Sequence, residues 1–569
     1  MKLAGRVSRR IRAMLRPAGG LLGGSVRFPT MTEIDAELRD PLTRHRRRRT
    51  LVVIAESGHG VKRLELERSL WARSRIVTIV EISAAGVHDQ LAALSAVDLV
   101  VDARSSSSAQ QLEAFEQNFW HVDPHGAWVT LRTTRPLPWR EPMVRLGREI
   151  QAARSGRGVR PEWRPHARSV SNVKVTRSLV VLTKRKQQHR LGVREAEASV
   201  VLRSREPRLR ITEIRHLATG TLDATGLVHD HGAIPRLQVP EKLVYPEHSV
   251  WQYDGVVSLP RGPIAYHRRT LLPDSFRWPM APELHIQLVQ RFGEAFFQVK
   301  ELKSAARLRG SYYNLLYSHP GHFGHLMTEA LARLWGWWPA KEMDPSLKIL
   351  CRRQPSRAAP GLEAILLPAF GISPEDIVWV DGGVKVEHLV GCTPMWHNTP
   401  PFYAHPEIRE TWSRLRRALI GGDHVETAPR IFLTRRGGNR PCRNVKKVER
   451  FFTDRGYVVI APEKLSVPDQ VATLANARVV AGFGGAGMFN LIYAPTVETV
   501  IVLNQTEYQA RNEHLIAAVH GVPIHSFWSP LERGNAPNAR SYRAHQGAWS
   551  FDFELNGEQL ARLLERGDA

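Results

Sequence analysis

Aliphatic runs recur along this chain, and most border a stretch long enough for a helix with one apolar face. Leu51–Ala55 is the first, ahead of the turn Ser57-Gly58-His59-Gly60, and Ile76–Ile82, Val97–Asp102 and Ala127–Leu131 follow after helix-length segments. Such alternation predicts a parallel, doubly wound sheet. Residues 156–240 are basic and β-rich, with strands expected at Ser178–Thr183 and Glu197–Leu202. Val244–Leu272 reads as short strands and turns opening a second large unit. The α/β pattern then returns, with strands expected at Tyr312–Tyr317, Lys348–Cys351, Ile377–Val380, Ile431–Thr434, Tyr457–Ile460, Arg478–Phe483 and Val500–Leu503 and a helix at Glu407–Leu419. Ser466 and Asp469 bracket Pro468 as a helix start. No repeat of fixed period is evident.

A chain of 569 residues is too long for one core and predicts roughly two to four domains. Boundaries are expected at a basic segment 1–47, a Rossmann-like domain 48–155, a basic connecting region 156–240 and two halves of a larger unit, 241–420 and 421–569. The 80 Lys+Arg against 55 Asp+Glu give a net charge of +25. Much of the excess is arginine, which suits phosphate and carboxylate ligands, although genomic base composition produces the same bias. Charge alone does not imply specific nucleic-acid binding, because no recognition module accompanies it.

Cys351, Cys392 and Cys442 are widely spaced and form no metal-ligand pattern, so a cytoplasmic, reducing compartment is expected and no metal is. No apolar run approaches the roughly 18 residues that a membrane span needs. Met1–Arg16 places Leu3, Val7, Ile11, Met14 and Leu15 at helical spacing among arginines. Two readings stay open for it: a helix lying on an anionic membrane surface, and a basic tail.

Three constellations carry chemistry. In SYYNLLYSHPGHFGHLMTEALARLW a strand ends in a His-Pro-Gly turn, and a helix begins near His322. His325 and Glu329, four apart, share one helical face, so a histidine and a carboxylate can act as a proton acceptor and its orienting partner. A carboxylate merely paired with Arg333 is the plainer reading. In IFLTRRGGNRPCRN, Arg435, Arg436, Arg440 and Asn444 follow a strand, which fits a diphosphate or phosphosugar. In VVAGFGGAGMFN the glycine-rich turn, Gly484-Gly485-Ala486-Gly487 with Asn490, lies between an apolar strand and an apolar helix, where backbone N–H groups can meet an anion.

Taken in order, these segments look like glycosyltransferase family sixty-one over about half the chain. The resemblance implies a GT-B-like pair of Rossmann-like halves facing a cleft, with a nucleotide-sugar donor in the C-terminal half. It implies inverting transfer to a hydroxyl of a cell-surface polysaccharide or lipid-linked glycan, with no metal cofactor. Glu329 would be the base, with His325 second, and His322 and Asn314 would line the acceptor side. Arg435, Arg436, Arg440, Asn444, Gly484, Gly485, Ala486, Gly487 and Asn490 would bind the donor. Three positions depart from the family pattern: Gly484 replaces a usual His, while Val445 and Val502 replace usual acids. A catalytically inactive nucleotide- or glycan-binding scaffold is the alternative.

The N-terminal run IAESGHG…IVTIVEI…VDLVVDARSSSS is similar to class I S-adenosylmethionine methyltransferases. Glu56, Gly58 and Gly60 would match the cofactor turn and Glu81 the ribose-binding acid, whereas Asp102-Ala103-Arg104-Ser105 departs from the expected acid-rich segment. A Rossmann-like module without chemistry is the favoured reading, with S-adenosylmethionine binding its alternative.

Overall fold

The computed structural model describes residues 30–37, 50–55, 74–80, 83–94, 97–104, 108–132, 141–154, 158, 160, 163–176, 178–185, 189–193, 198–276, 289–292, 295–298, 306–353, 361–420, 428–437, 440–531 and 546–566. The chain divides into two compact units, Met1–Ala92 with Ala96–Gln188, and Ala93–Ser95 with His189–Ala569.

The first unit is built on a six-stranded sheet. Arg75–Val80, Thr50–Ala55, Leu99–Asp102 and Ala127–Leu131 run parallel in that spatial order. Leu179–Lys184 and Val170–Val175 then close the sheet antiparallel. Both lie beyond residue 155, so the sheet takes in part of the expected connecting region. Leu51, Val53, Leu99, Val101, Val129 and Val181 pack one face of it into an apolar core. The expected cofactor residues Glu56, Gly58, Gly60 and Glu81 lie outside the described residues, as does Met1–Arg16.

Among the described residues the second unit holds two large sheets, besides two short two-stranded pairings. One is fully parallel, in the order Val228–Gly232, Ile524–Ser529, Thr499–Gln505, Val479–Phe483, Arg430–Leu433 and Val458–Ile460. Its edge strand, VHDHG, comes from the expected connecting region. Asp, His and Gly have low strand propensity, and the pattern hid it. Rings of His229 and His231 stack on His525 with centroids 4.6 and 5.4 Å apart, tying that edge to its neighbour.

The other sheet is mixed. Ala306–Asn314, Lys348–Arg352, Ile377–Val380 and Val384–Cys392 pair in parallel, but the long strand His248–Leu259 joins them antiparallel. The strand expected at Glu197–Leu202 is instead the helix Ala198–Arg205, with Ala198, Val201, Leu202 and Arg205 buried at helical spacing.

A helical rod, residues 323–343, crosses the mixed sheet. It comprises an α-helical turn, a π-helical turn at Leu326–Ala330, a 3-10 stretch and a final α-helix. At Gly336 it touches three neighbouring strands, since a Cβ there would lie 2.8 Å from Tyr313 Oη and Val250 Cγ2 and 3.0 Å from Cys392 Sγ. Tyr313 Oη also donates to the carbonyl of Arg333. The rod is therefore pressed onto the sheet without room for a methyl group. Among the described residues no helix is long and apolar enough to cross a membrane.

Two outcomes follow for stability. Gly336→Ala overpacks this contact and is expected to cost about 1–3 kcal/mol in chemical denaturation; an unchanged midpoint would show that the rod yields freely. Burial also depresses His248 and His520 from 6.5 to about 4. Between pH 4 and 6.5 the unfolded chain binds protons there that the folded chain does not, so stability rises with pH across that window. The melting temperature is expected to fall on acidification from pH 6.5 to 4, less steeply in His520→Gln; equal slopes in both proteins would remove His520 from the account.

Candidate functional site

The parallel sheet dictates where a ligand would lie. Chain order runs outward from Arg430–Leu433 to Val458–Ile460, then crosses back to Val479–Phe483 and continues the other way. The carboxyl ends of Arg430–Leu433 and Val479–Phe483 therefore flank the switch point, the usual ligand crevice of an open α/β sheet. Arg435 follows the first strand and Gly484-Gly485 the second.

These elements meet closely. Arg435 Nη2 donates to the carbonyl of Gly484 at 2.6 Å. A Cβ on Gly485 would lie 2.4 Å from Arg435 Nη2 and 2.6 Å from Arg440 Nη2, and Gly485 has φ +131°, so only glycine fits. Arg440 itself has φ +59°, an uncommon conformation for a side-chain-bearing residue, and its guanidinium lies 4.6 Å from the Tyr508 ring centroid. Burial, then the neighbouring Arg440 charge, pushes Arg435 down to about 10.

Glu513 balances the arginines, and the sequence reading missed it. It lies in the first turn of the helix Asn512–His520, 1% exposed, and Oε1 accepts the Gly485 N–H at 2.5 Å. Tyr508 Oη donates to the same oxygen at 3.4 Å. Burial raises the Glu513 carboxyl. Thus the Gly485 amide, expected to face a ligand, is already engaged. An acid opening an apolar helix was the available signal, but nothing in the linear order relates it to a turn far upstream.

The glycine turn continues into the expected apolar helix, which is a 3-10 helix, Ala486–Tyr493. Asn490 is 1% exposed and donates Nδ2 to the Gly487 carbonyl, so it braces the turn. Gly484 leaves space that the Asn504 amide fills, because a Cβ there would lie 2.1 Å from Asn504 Nδ2. Val502 is buried in the core, and Val445 packs against an apolar cluster.

Two expected donor residues point elsewhere. Arg436 is exposed and pairs with Glu449 at 2.7 Å. Asn444 Nδ2 donates to the Phe551 carbonyl at 2.8 Å, and Oδ1 accepts the Phe551 N–H at 2.9 Å. That side chain pins one backbone segment to another.

The histidine turn stands against the glycine turn. A Cβ on Gly324 would lie 3.2 Å from Phe489 Cε2 and 3.6 Å from Ala486 Cβ, so the two motifs are in contact. His325 has ring centroids 4.4 Å from His319 and 4.9 Å from His322. Burial, then the His325 and His319 charges, lowers His322. Glu329 lies in the π-helical turn, a feature often found at functional sites, and accepts from His325 Nδ1. Its other oxygen lies 3.5 Å from the Ser318 N–H. Arg333 is not its partner: that guanidinium donates to the carbonyls of Leu316 and Phe276.

Side-chain exposure is 24% for His325 and 7% for Glu329, so the imidazole stands in front and the carboxylate behind. Behind the turn, Glu363 Oε1 accepts the Gly321 N–H at 3.0 Å and also the Tyr317 hydroxyl. Asn314 is fully buried, with Oδ1 accepting the Leu316 N–H at 3.2 Å. Among the described residues no group of three His, Cys, Asp or Glu side chains could hold a metal ion.

In the first unit, Asp102 and Arg104 are both buried and joined by Nε–Oδ1 and Nη2–Oδ2 contacts of 2.8 and 2.5 Å. The departure from the acid-rich segment is thus an internal ion pair at the end of a central strand.

Residues 323–502 match the family model Glycosyltransferase 61. The match takes in His325 and Glu329, the arginine segment and the glycine turn. No curated protein matches the chain. Structures of the MycE methyltransferase from the mycinamycin biosynthetic pathway, in complex with Mg and SAH and with Mg, SAH and mycinamycin VI, are similar at 16% identity and a TM-score of 0.21. The likeness covers 28% of this chain and 55% of those chains, so about half their length is represented.

The placement of Asn444 is open to test. Asn444→Ala is expected to cost about 1–3 kcal/mol of stability and to leave pyrophosphate affinity within about twofold. A loss of affinity on the order of tenfold in calorimetry would return Asn444 to the ligand side.

Proposed function

We propose, from the match of residues 323–502 to Glycosyltransferase 61 and the geometry of the two turns, that this chain is an inverting glycosyltransferase. It takes a sugar from a nucleotide-sugar donor and delivers it to a hydroxyl of a cell-surface polysaccharide or lipid-linked glycan. The two sheets of the second unit serve as a GT-B-like pair, and transfer takes place on the cytoplasmic side, at the inner face of the membrane. The observation that carries this reading is the convergence of Arg435 and Arg440 on Gly485 at the switch point, with the His325–Glu329 pair on a turn that touches Ala486.

Sequence alone favoured Glu329 as the base, and the difference in exposure exchanges the roles. His325 donates Nδ1–H to Glu329, which leaves Nε2 as the proton acceptor, and Glu329 holds the ring and stabilises the imidazolium that forms. The acceptor oxygen loses its proton to Nε2 and attacks the anomeric carbon as the bond to the diphosphate breaks. The electron pair leaves with the nucleoside diphosphate, whose charge the two guanidinium groups neutralise.

Purified protein incubated with UDP-, GDP- and CDP-sugars is expected to release nucleotide with at least one donor class. His325→Ala and Glu329→Gln are expected to lower kcat by roughly 10²–10⁴-fold with little change in donor KM. Arg435→Ala is expected to raise donor KM by about tenfold or more. Absence of turnover and of any thermal shift with every donor would sink the assignment. Donor binding without turnover, unaltered by Glu329→Gln, would favour the scaffold.

A further inference from the structure

We propose that Arg511 is a positioning residue of the donor site: its guanidinium clips the loop 505–511 to a segment arriving from the mixed sheet, and so keeps the Tyr508 ring against Arg440. This rests on the donor-site reading above, in which Arg440 meets the diphosphate. It adds a residue that lies beyond the matched stretch 323–502.

Arg511 is 1% exposed and turns to backbone. Nη1 donates to the Tyr508 carbonyl at 2.5 Å and to the Ala510 carbonyl at 3.1 Å, and Nη2 donates to the Leu237 carbonyl at 2.6 Å. Its guanidinium carbon lies 4.6 Å from the Trp528 ring centroid. A planar fork can meet carbonyls on two sides and lie on an indole at once, which a lysine ammonium cannot.

The Leu237 carbonyl comes from far away in the chain. Arg210–Leu217 and His248–Leu259 are antiparallel partners in the mixed sheet, and between them the chain crosses over to pair Val228–Gly232 with Ile524–Ser529. Just past that strand the Arg236 N–H donates to the Thr506 carbonyl at 3.2 Å, and the Arg236 guanidinium pairs with Glu507 at 3.0 Å. With the bond from Arg511 to Leu237, the crossing segment braces the 505–511 loop at three points.

That loop delivers Tyr508, which is 2% exposed. Its carbonyl is taken by Arg511, its hydroxyl donates to Glu513, and its ring centroid lies 4.6 Å from the Arg440 guanidinium. A long arginine side chain has much rotamer freedom to lose, and a fixed ring beside it narrows the choice. Loosening Arg511 releases the carbonyl that sets the Tyr508 backbone, and Arg440 then loses a wall against which it is aimed.

A double-mutant cycle separates this role from a general weakening of the fold. Binding of inorganic pyrophosphate to the full chain is measured by calorimetry in the wild type, Arg511→Lys, Arg440→Ala and the double variant. Arg511→Lys is expected to weaken binding roughly tenfold when Arg440 is present, and by less than about twofold when it is absent. A residue that only supports the fold would change affinity alike in both backgrounds.

An equal change in both backgrounds, or no loss with Arg440 present, overturns the positioning role and leaves the donor-site reading intact, provided Arg440→Ala itself weakens binding. Absence of binding by the wild type, or an unchanged affinity in Arg440→Ala, overturns the two together. If Arg511→Lys does not fold, as judged by circular dichroism, Arg511→Gln is measured in its place against the same outcomes. If neither folds, Tyr508→Leu decides: a loss of affinity confined to the background that keeps Arg440 upholds the role, and any other result overturns it.

Discussion

The second unit is organised around a crowded point of positive charge. Two guanidinium groups end within the volume that one methyl group on Gly485 would need. Burial, and after it the neighbouring Arg440 charge, holds Arg435 at about 10. The surroundings compensate. The Gly484 carbonyl accepts from Arg435, the Tyr508 ring lies beside Arg440, and Glu513 grips the turn from behind. Glu463 acts on Arg435 as well. Sheet order then fixes where the arginine segment and the glycine turn meet, at the carboxyl ends of the two strands where the chain reverses its direction of winding.

The histidine turn depends on this point through contact rather than charge. Gly324 lets its backbone approach Ala486 and Phe489, and Gly336 presses the same helical rod onto the mixed sheet. Both turns are also secured alike. A buried glutamate in the first turn of a separate helix, Glu363 for one and Glu513 for the other, accepts the N–H of a glycine in the turn. A charge-assisted bond to backbone is stronger than a neutral one and fixes the loop without a side chain on its ligand face. In the proposed reaction these glutamates position and the histidine and arginines act.

Much of this was legible in residue order, and the limits are specific. Aliphatic runs bounded by turns marked Ala127–Leu131 and Ile377–Val380 at both ends, and Ser466 caps its helix through the Asp469 N–H as the spacing implied. The strand Val228–Gly232 escaped because His and Asp fill it, yet it pairs in parallel with Ile524–Ser529 and stacks imidazoles across the pair. The strand expected at Glu197–Leu202 failed because a short apolar run has no unique period. For the site, the residue types at 325, 329, 435 and 440 were readable. Which of them face a ligand was not, because partners such as Phe551 for Asn444 and Asn504 for Gly484 are remote in sequence.

The three departures from the family pattern bear on whether such a site has decayed. A site losing its function has no reason to keep buried like charges together, since apolar side chains of similar size would be cheaper. Here Gly484 has not left a vacancy: Asn504 fills the space, with a buried amide nitrogen that has no partner among the described residues. No acid stands at 502, yet one is supplied from 513 to the same turn. Val445 begins a helix whose Val448 and Phe452 join the core, so its apolar character is explained by packing. Under the proposed function the arrangement reads as a rebuilt anion site rather than an abandoned one, with polar groups at the turn supplied by residues that the linear motif does not include.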